Sequence, residues 1–120
     1  MGPETLIIEY LTDTPEDQSV IRLRGPLTMQ NVAQFQSAVR AGSAPRMILD
    51  LSQVPYVDSA GLGSIVGAQV SLHKAGRWLA LTGVNERVKR LFEITRVNSI
   101  FLTFPTLGDA MSAMSGQADA

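Results

Sequence analysis

Asp50-Leu51-Ser52-Gln53-Val54-Pro55-Tyr56-Val57-Asp58-Ser59-Ala60-Gly61-Leu62-Gly63 joins two kinds of segment. Its first residues close the run 47–51 (MILDL), which is almost wholly apolar, with Asp50 the exception. Such a run is expected of a strand covered on both faces. Past it, over residues 59–75, Leu62, Ile65, Val66, Gln69 and Leu72 recur at helical spacing, and Gly76 supplies a stop. Residues 52–58, with Pro55, read as the connection between the two. Polar residues just beyond the C-terminal end of a parallel strand are where α/β folds place their sites.

The flanking sequence repeats this alternation. Toward the N-terminus, residues 6–11 (LIIEYL) and 20–23 (VIRL) read as strands. The short polar link between them, with Pro15, predicts an antiparallel hairpin. Gly25-Pro26 breaks the second strand, and Thr28 is a plausible N-cap for a helix burying Val32, Phe35 and Val39. Gly42-Ser43-Ala44-Pro45 ends that helix. Toward the C-terminus, residues 78–81 (WLAL) form another buried-looking strand, and Asn85 caps a helix with Val88, Leu91 and Phe92 inward. Glu86 favours that helix's positive end. Residues 100–104 (IFLTF) are a last strand, ended by Pro105. Thr106 with Asp109 gives a capping-box pattern before Leu107, Ala110, Met111 and Met114, and residues 116–120 should fray. The predicted order is β-β-α-β-α-β-α-β-α in one α/β domain over residues 1–120, with its core at about 6–114. No repeat, linker or low-complexity tract divides it.

Composition narrows the classes of function. The 120 residues carry 10 basic and 11 acidic side chains, so no charge excess points to nucleic acid. The absence of cysteine excludes disulfides, Cys-ligated zinc, iron–sulfur clusters and a thiol nucleophile. No stretch approaches the ~20 apolar residues of a membrane span. The first residues carry neither the basic segment nor the apolar run of a signal peptide, so a cytoplasmic protein is expected.

Residues 58–63 hold the chemistry on offer. Asp58 or Ser59 should accept one of the backbone N–H bonds that a helix start leaves open. Gly61 and Gly63 each cost about 1 kcal/mol against alanine inside a helix. Either they are packing concessions or they leave the helix start flat for another surface to approach. Three enzymatic patterns fail. Val66 stands where a dinucleotide fingerprint beginning at Gly61 needs glycine, and Val57 where a nucleophile elbow around Ser59 needs one. His73, the one histidine, lies about 20 Å of helix rise from Ser59 and cannot serve as its base. There is no phosphate-binding glycine–lysine loop, and one histidine makes no metal cluster. Neither cofactor nor metal is expected. A serine here can still accept phosphate from another protein's kinase. The added charge of about −1.5 to −2 is tolerated at a helix N-terminus, yet it is repulsive at an interface beside Asp58.

Asp58-Ser59-Ala60-Gly61-Leu62-Gly63 after the MILDL strand resembles the STAS domain family, and within it the bacterial anti-sigma factor antagonists. Gly25-Pro26-Leu27 and Leu81-Thr82-Gly83-Val84 are similar too, and the resemblance spans residues 6–114. It implies a mixed sheet with helices packed mainly on one face. It implies Ser59 as the target of a serine kinase that doubles as an anti-sigma factor. The unphosphorylated antagonist binds that kinase and frees a sigma factor; the phosphorylated one does not, and a serine phosphatase resets it. The implied partner surface is Asp58, Ser59, Ala60, Gly61, Leu62 and Gly63 with Gly25 and Thr28. A monomer or weak dimer is expected. The alternative role is a subunit of a stress-signalling assembly or a transporter-associated accessory protein. Two positions depart from the family pattern: Thr28 replaces a common aspartate, and Thr95-Arg96 stands where a glycine often ends the third helix.

Overall fold

The computed structural model describes residues 5–115. β1 (Ile7–Tyr10) and β2 (Gln18–Arg24) form the expected antiparallel hairpin. There follow α1 (Val32–Ala41), β3 (Arg46–Gln53), α2 (Ser59–Lys74), β4 (Trp78–Thr82), α3 (Glu86–Ile94), a 3-10 turn at Asn98–Ile100, β5 (Leu102–Phe104) and α4 (Leu107–Ser115). The five strands lie in the order β1-β2-β3-β4-β5, and β2 to β5 run parallel.

That order decides where the helices go. Right-handed crossovers stepping always in one direction put their helices on one side of the sheet. α1, α2 and α3 accordingly share one core with Ile21, Leu23, Met47, Leu49, Leu51, Leu79 and Leu81. The alternate residues Val20, Ile48 and Ala80 face the other way, and α4 covers them with Ala110 and Met114. Among the described residues, the sheet is thus covered on both faces, by three crossover helices on one and by α4 on the other.

Asp50, the odd residue of the apolar run, points to the α4 side. Its carboxylate accepts from Arg22 Nε at 2.8 Å and from Ser52 N at 3.0 Å. Burial by itself would raise its pKa; the Ser52 N–H and the Arg22 guanidinium outweigh that and hold it below the ordinary aspartate value.

Several boundaries differ from the sequence reading. β3 runs on through Ser52 and Gln53, which were expected in the connection. An extra β3 residue is accommodated between the pairs Arg22↔Asp50 and Arg24↔Gln53, and such a bulge keeps a polar stretch in the ladder while bending it. α1 starts at Val32, with Asn31 and not Thr28 in the cap position. Ile100 belongs to the 3-10 turn, so β5 begins at Leu102. That turn brings Phe101 back onto Phe92, ring centroids 5.0 Å apart, before the last strand can start. Trp78, expected to be buried, is half-exposed at the N-terminal end of its strand. At the end of α3, Arg96 adopts the left-handed conformation, φ 62°. Arg96 N bonds to Glu93 O and Val97 N to Phe92 O, so the glycine-type stop forms with an arginine in it. The Thr106 hydroxyl accepts from Asp109 N at 3.1 Å, as a cap should. Residues 116–120, expected to fray, lie outside the described residues.

Candidate functional site

The C-terminal edge of the parallel sheet carries three loops, and side chains of the Asn/Asp type stitch them together. Asn31 Oδ1 accepts from Thr28 N and its Nδ2 donates to Pro26 O, each at 2.9 Å. Asn85 Nδ2 donates to Val54 O at 3.0 Å and to Pro55 O at 3.2 Å. Between them, Asp58 Oδ1 accepts from Gly61 N at 2.8 Å and Oδ2 from Met29 N at 3.0 Å. The backbone adds a short parallel bridge between Leu27 and Val57: Leu27 N donates to Tyr56 O and Asp58 N to Leu27 O, both at 3.2 Å. The loop after β2 and the loop after β3 therefore form one platform at the start of α2.

Asp58 is the N-cap of α2, which settles the choice between it and Ser59. Two backbone N–H groups, from Gly61 and then Met29, stabilise its ionised form and draw its pKa below the usual aspartate value. The platform therefore carries a fixed negative charge at neutral pH.

Freed of capping, Ser59 is the first helical residue and is exposed. Its neighbours divide sharply. A Cβ on Gly61 would run into the Leu27 carbonyl oxygen and come within 2.9 Å of Val57 Cγ1. A Cβ on Gly63 would meet nothing within 4 Å. The first glycine is there for packing and the second lies bare on the surface, one turn from Ser59. Leu62 is buried in the core beneath them. Ala60 is partly exposed.

Other expected site residues sit deeper. A Cβ on Gly25, φ +109°, would run into the Thr5 carbonyl oxygen, and the Gly25 N–H donates to Gln53 O at 3.0 Å. Thr28 is only 6% exposed, and its hydroxyl accepts from Gln30 N at 3.3 Å. Both residues shape the platform from below. Met29, 74% exposed and next to the exposed Gln30, projects from this loop, and sequence reasoning passed over it. Had α1 begun at Thr28, Met29 would have shared the helix phase of Val32, Phe35 and Val39. Because the helix begins at Val32, Met29 turns outward. The signal was Asn31, whose side chain competes for the loop backbone and holds it out of the helix.

The remaining polar candidates lie apart from the platform. Ser64 is buried and its hydroxyl donates to Gly61 O at 2.7 Å. His73 is an exposed residue in the last turn of α2. Among the described residues no group of His, Cys, Asp or Glu is placed to hold a metal ion. No described helix is long and apolar enough to cross a membrane.

Such a platform on such a sheet defines a class of protein. The profile of the STAS domain family matches residues 10–110, and the chain belongs to that family. It is similar to the anti-sigma-B factor antagonist of Staphylococcus epidermidis, at 30% identity over 92 residues covering 74% of this chain and 85% of that protein. The anti-sigma-B factor antagonist of Listeria monocytogenes is 48% identical over 52 residues, 43% of this chain and 46% of that protein. The latter match thus spans less than half of the relative's length. The crystal structure of an anti-sigma factor antagonist from Mycobacterium paratuberculosis has the same fold, with a TM-score of 0.81 at 23% identity, covering 93% of this chain and 96% of that one.

Proposed function

We propose that the chain is an anti-sigma factor antagonist, a binding protein switched by phosphorylation of Ser59. Unphosphorylated, it docks a serine-kinase anti-sigma factor on the platform of Asp58, Ser59, Ala60, Gly63 and Met29, and a sigma factor is released. Gly25, Thr28, Gly61 and Leu62 belong to this surface as its support. The kinase phosphorylates Ser59 and the complex dissociates; a serine phosphatase restores the binding form. The protein acts in the cytoplasm, needs no cofactor, and works as one STAS domain over residues 1–120, as a monomer or weak dimer.

The observation that carries this reading is the pairing of an exposed Ser59 with a cap that another residue supplies. Since Asp58 closes the helix end, Ser59 can be modified without loss of a structural bond. A phosphate there meets the positive end of α2, so the fold tolerates it. A docked partner meets two adjacent anions, the phosphate and the ionised Asp58, and must desolvate both. Binding falls while the domain stays folded. Named relatives that are anti-sigma factor antagonists support the same reading.

Peptide mass spectrometry after incubation with an anti-sigma kinase from the same genome tests it. Phosphate is expected on Ser59. Ser64 is sequestered by its bond to Gly61 O, whereas Ser52 is exposed and is the informative control. Phosphate on Ser52 with none on Ser59 overturns the proposal.

A further inference from the structure

Beside the platform lies a groove that the switch does not use. Arg87, Arg90, Leu91 and Ile94 follow each other at spacings of three and four along α3, and so form one stripe. Across from them stand Tyr56 and Val57, and the space between is about 220 Å³. Val57, which lines the groove, also packs against Gly61 at the start of α2, so groove and platform are neighbours.

Three features mark this stripe and the helix that carries it. Ile94 is 71% exposed, next to the partly exposed Leu91. The charge is uneven: residues 86–96 hold four basic residues, Arg87, Lys89, Arg90 and Arg96, against two acids, Glu86 and Glu93. In the rest of the chain acids outnumber bases. The ion pairs among the described residues use Arg22, Arg24 and Arg46, and none uses a cation of α3. Lastly, Arg96 occupies a left-handed position that glycine would hold at less cost. The Arg87 guanidinium lies 5.0 Å from the centroid of the Tyr56 ring, which fixes one positive charge at the lip of the groove.

We propose that this groove is a second docking surface for the partner kinase, and that it takes an acidic, amphipathic segment of that protein. The assignment to the kinase rests on the reading of Ser59 given above. Carboxylates of the segment meet Arg87 and Arg90, and an apolar side chain between them covers Leu91 and Ile94. Charge complementarity selects this occupant: the stripe presents cations and apolar groups, while Glu86 and Glu93 fall outside it. The two surfaces divide the work. The platform senses phosphate on Ser59, and the groove holds the kinase near Ser59 while the phosphate is transferred.

Arg90→Glu, Arg90→Lys and Ile94→Ser test this, all at exposed positions, with thermal melts as folding controls. The probe is the purified serine-kinase anti-sigma factor from the same genome. Affinity is read by calorimetry at about 50 and 500 mM salt, where screening is weak and strong respectively. Transfer is read as phosphate incorporated on Ser59. Arg90→Glu is expected to weaken binding about tenfold at low salt and much less at high salt. It should raise KM for phosphorylation and leave kcat unchanged. Ile94→Ser should weaken binding at both salt concentrations, and Arg90→Lys should keep most of the affinity. If Arg90→Glu and Ile94→Ser bind and accept phosphate as the wild type does, the groove is no docking surface while the Ser59 reading stands. If the wild type itself neither binds the kinase nor is phosphorylated, the Ser59 reading fails and takes this assignment with it.

Discussion

The N-termini of α2 and α3 are built alike but differ in what surrounds them. Each follows the C-terminal end of a parallel strand, and each is capped by an extended residue of the Asn/Asp type. Asp58 accepts from Gly61 N and Asn85 from Val88 N, both at 2.8 Å. Each cap also reaches into a neighbouring loop, Asp58 to Met29 and Asn85 to Val54 and Pro55. They differ in charge and in the residues that come next. Asp58 is an anion that accepts twice; Asn85 is neutral, accepting once and donating. After Asp58 come Ser59, Ala60 and the bare Gly63, a surface with no long side chains. After Asn85 come Glu86 and Arg87, two long, charged and exposed side chains, the second lying over the Tyr56 ring. A capped helix start at a sheet edge is thus not a site by itself. In the reading proposed above, small neighbours and an exposed hydroxyl are what set α2's start apart, while α3 would offer its flank.

Substitutions break this comparison at different depths. The deepest is Gly61→Ala, which drives a Cβ into the backbone carbonyl of Leu27 and separates the two loops. We expect a loss of about 2–3 kcal/mol even after alanine's better helix propensity is credited, measured by chemical denaturation. A stability equal to wild type would show that the loop after β2 moves freely and that the platform is not rigid.

Next come the caps. Asp58→Ala and Asn85→Ala should each cost about 1–2 kcal/mol, since each loses a helix cap and a tie to a loop. Acid separates them. The folded pKa of Asp58 lies below its unfolded value, so its contribution is present above about pH 4 and is lost as pH falls through the folded pKa. Asn85 has no such limb. Stability of Asp58→Asn measured between about pH 2 and 6 should fall less steeply than that of the wild type, with the residual slope due in part to Asp50. Identical slopes would mean that the bonds to Gly61 and Met29 do not form in solution.

Gly63→Ala is the reverse case. With open space around the position, it should stabilise the fold by about 0.5–1 kcal/mol while weakening kinase docking, because a methyl then stands on the flat surface. Unchanged docking would move the interface away from this turn.

The smallest effect on folding belongs to Ser59→Ala. With the cap supplied by Asp58, it should alter stability by no more than about 0.5 kcal/mol and abolish phosphorylation while leaving kinase binding intact. A large drop in melting temperature would show that the hydroxyl is structural after all.

The sequence by itself determined the order of strands and helices, because period-two and period-3.6 patterns are local and the breaks at Gly25-Pro26, Gly42–Pro45 and Gly76 are unambiguous. It also singled out residues 58–63, since two glycines in the opening turns of a helix carry a cost, and it left open whether that cost serves packing or an approaching surface. What each glycine does was decided only in three dimensions. Nothing within the hexapeptide distinguishes Gly61 from Gly63; the Leu27 carbonyl, 34 residues away in the chain, does. The start of α1 was likewise out of reach. A serine, threonine or asparagine caps a helix or a loop with the same atoms, and Asn31 went to the loop because Pro26 O and Thr28 N were held beside it. That choice turned Met29 outward and buried Thr28. Local chemistry set which groups had to find partners, and the meeting of loops from separate strands set which partners they found.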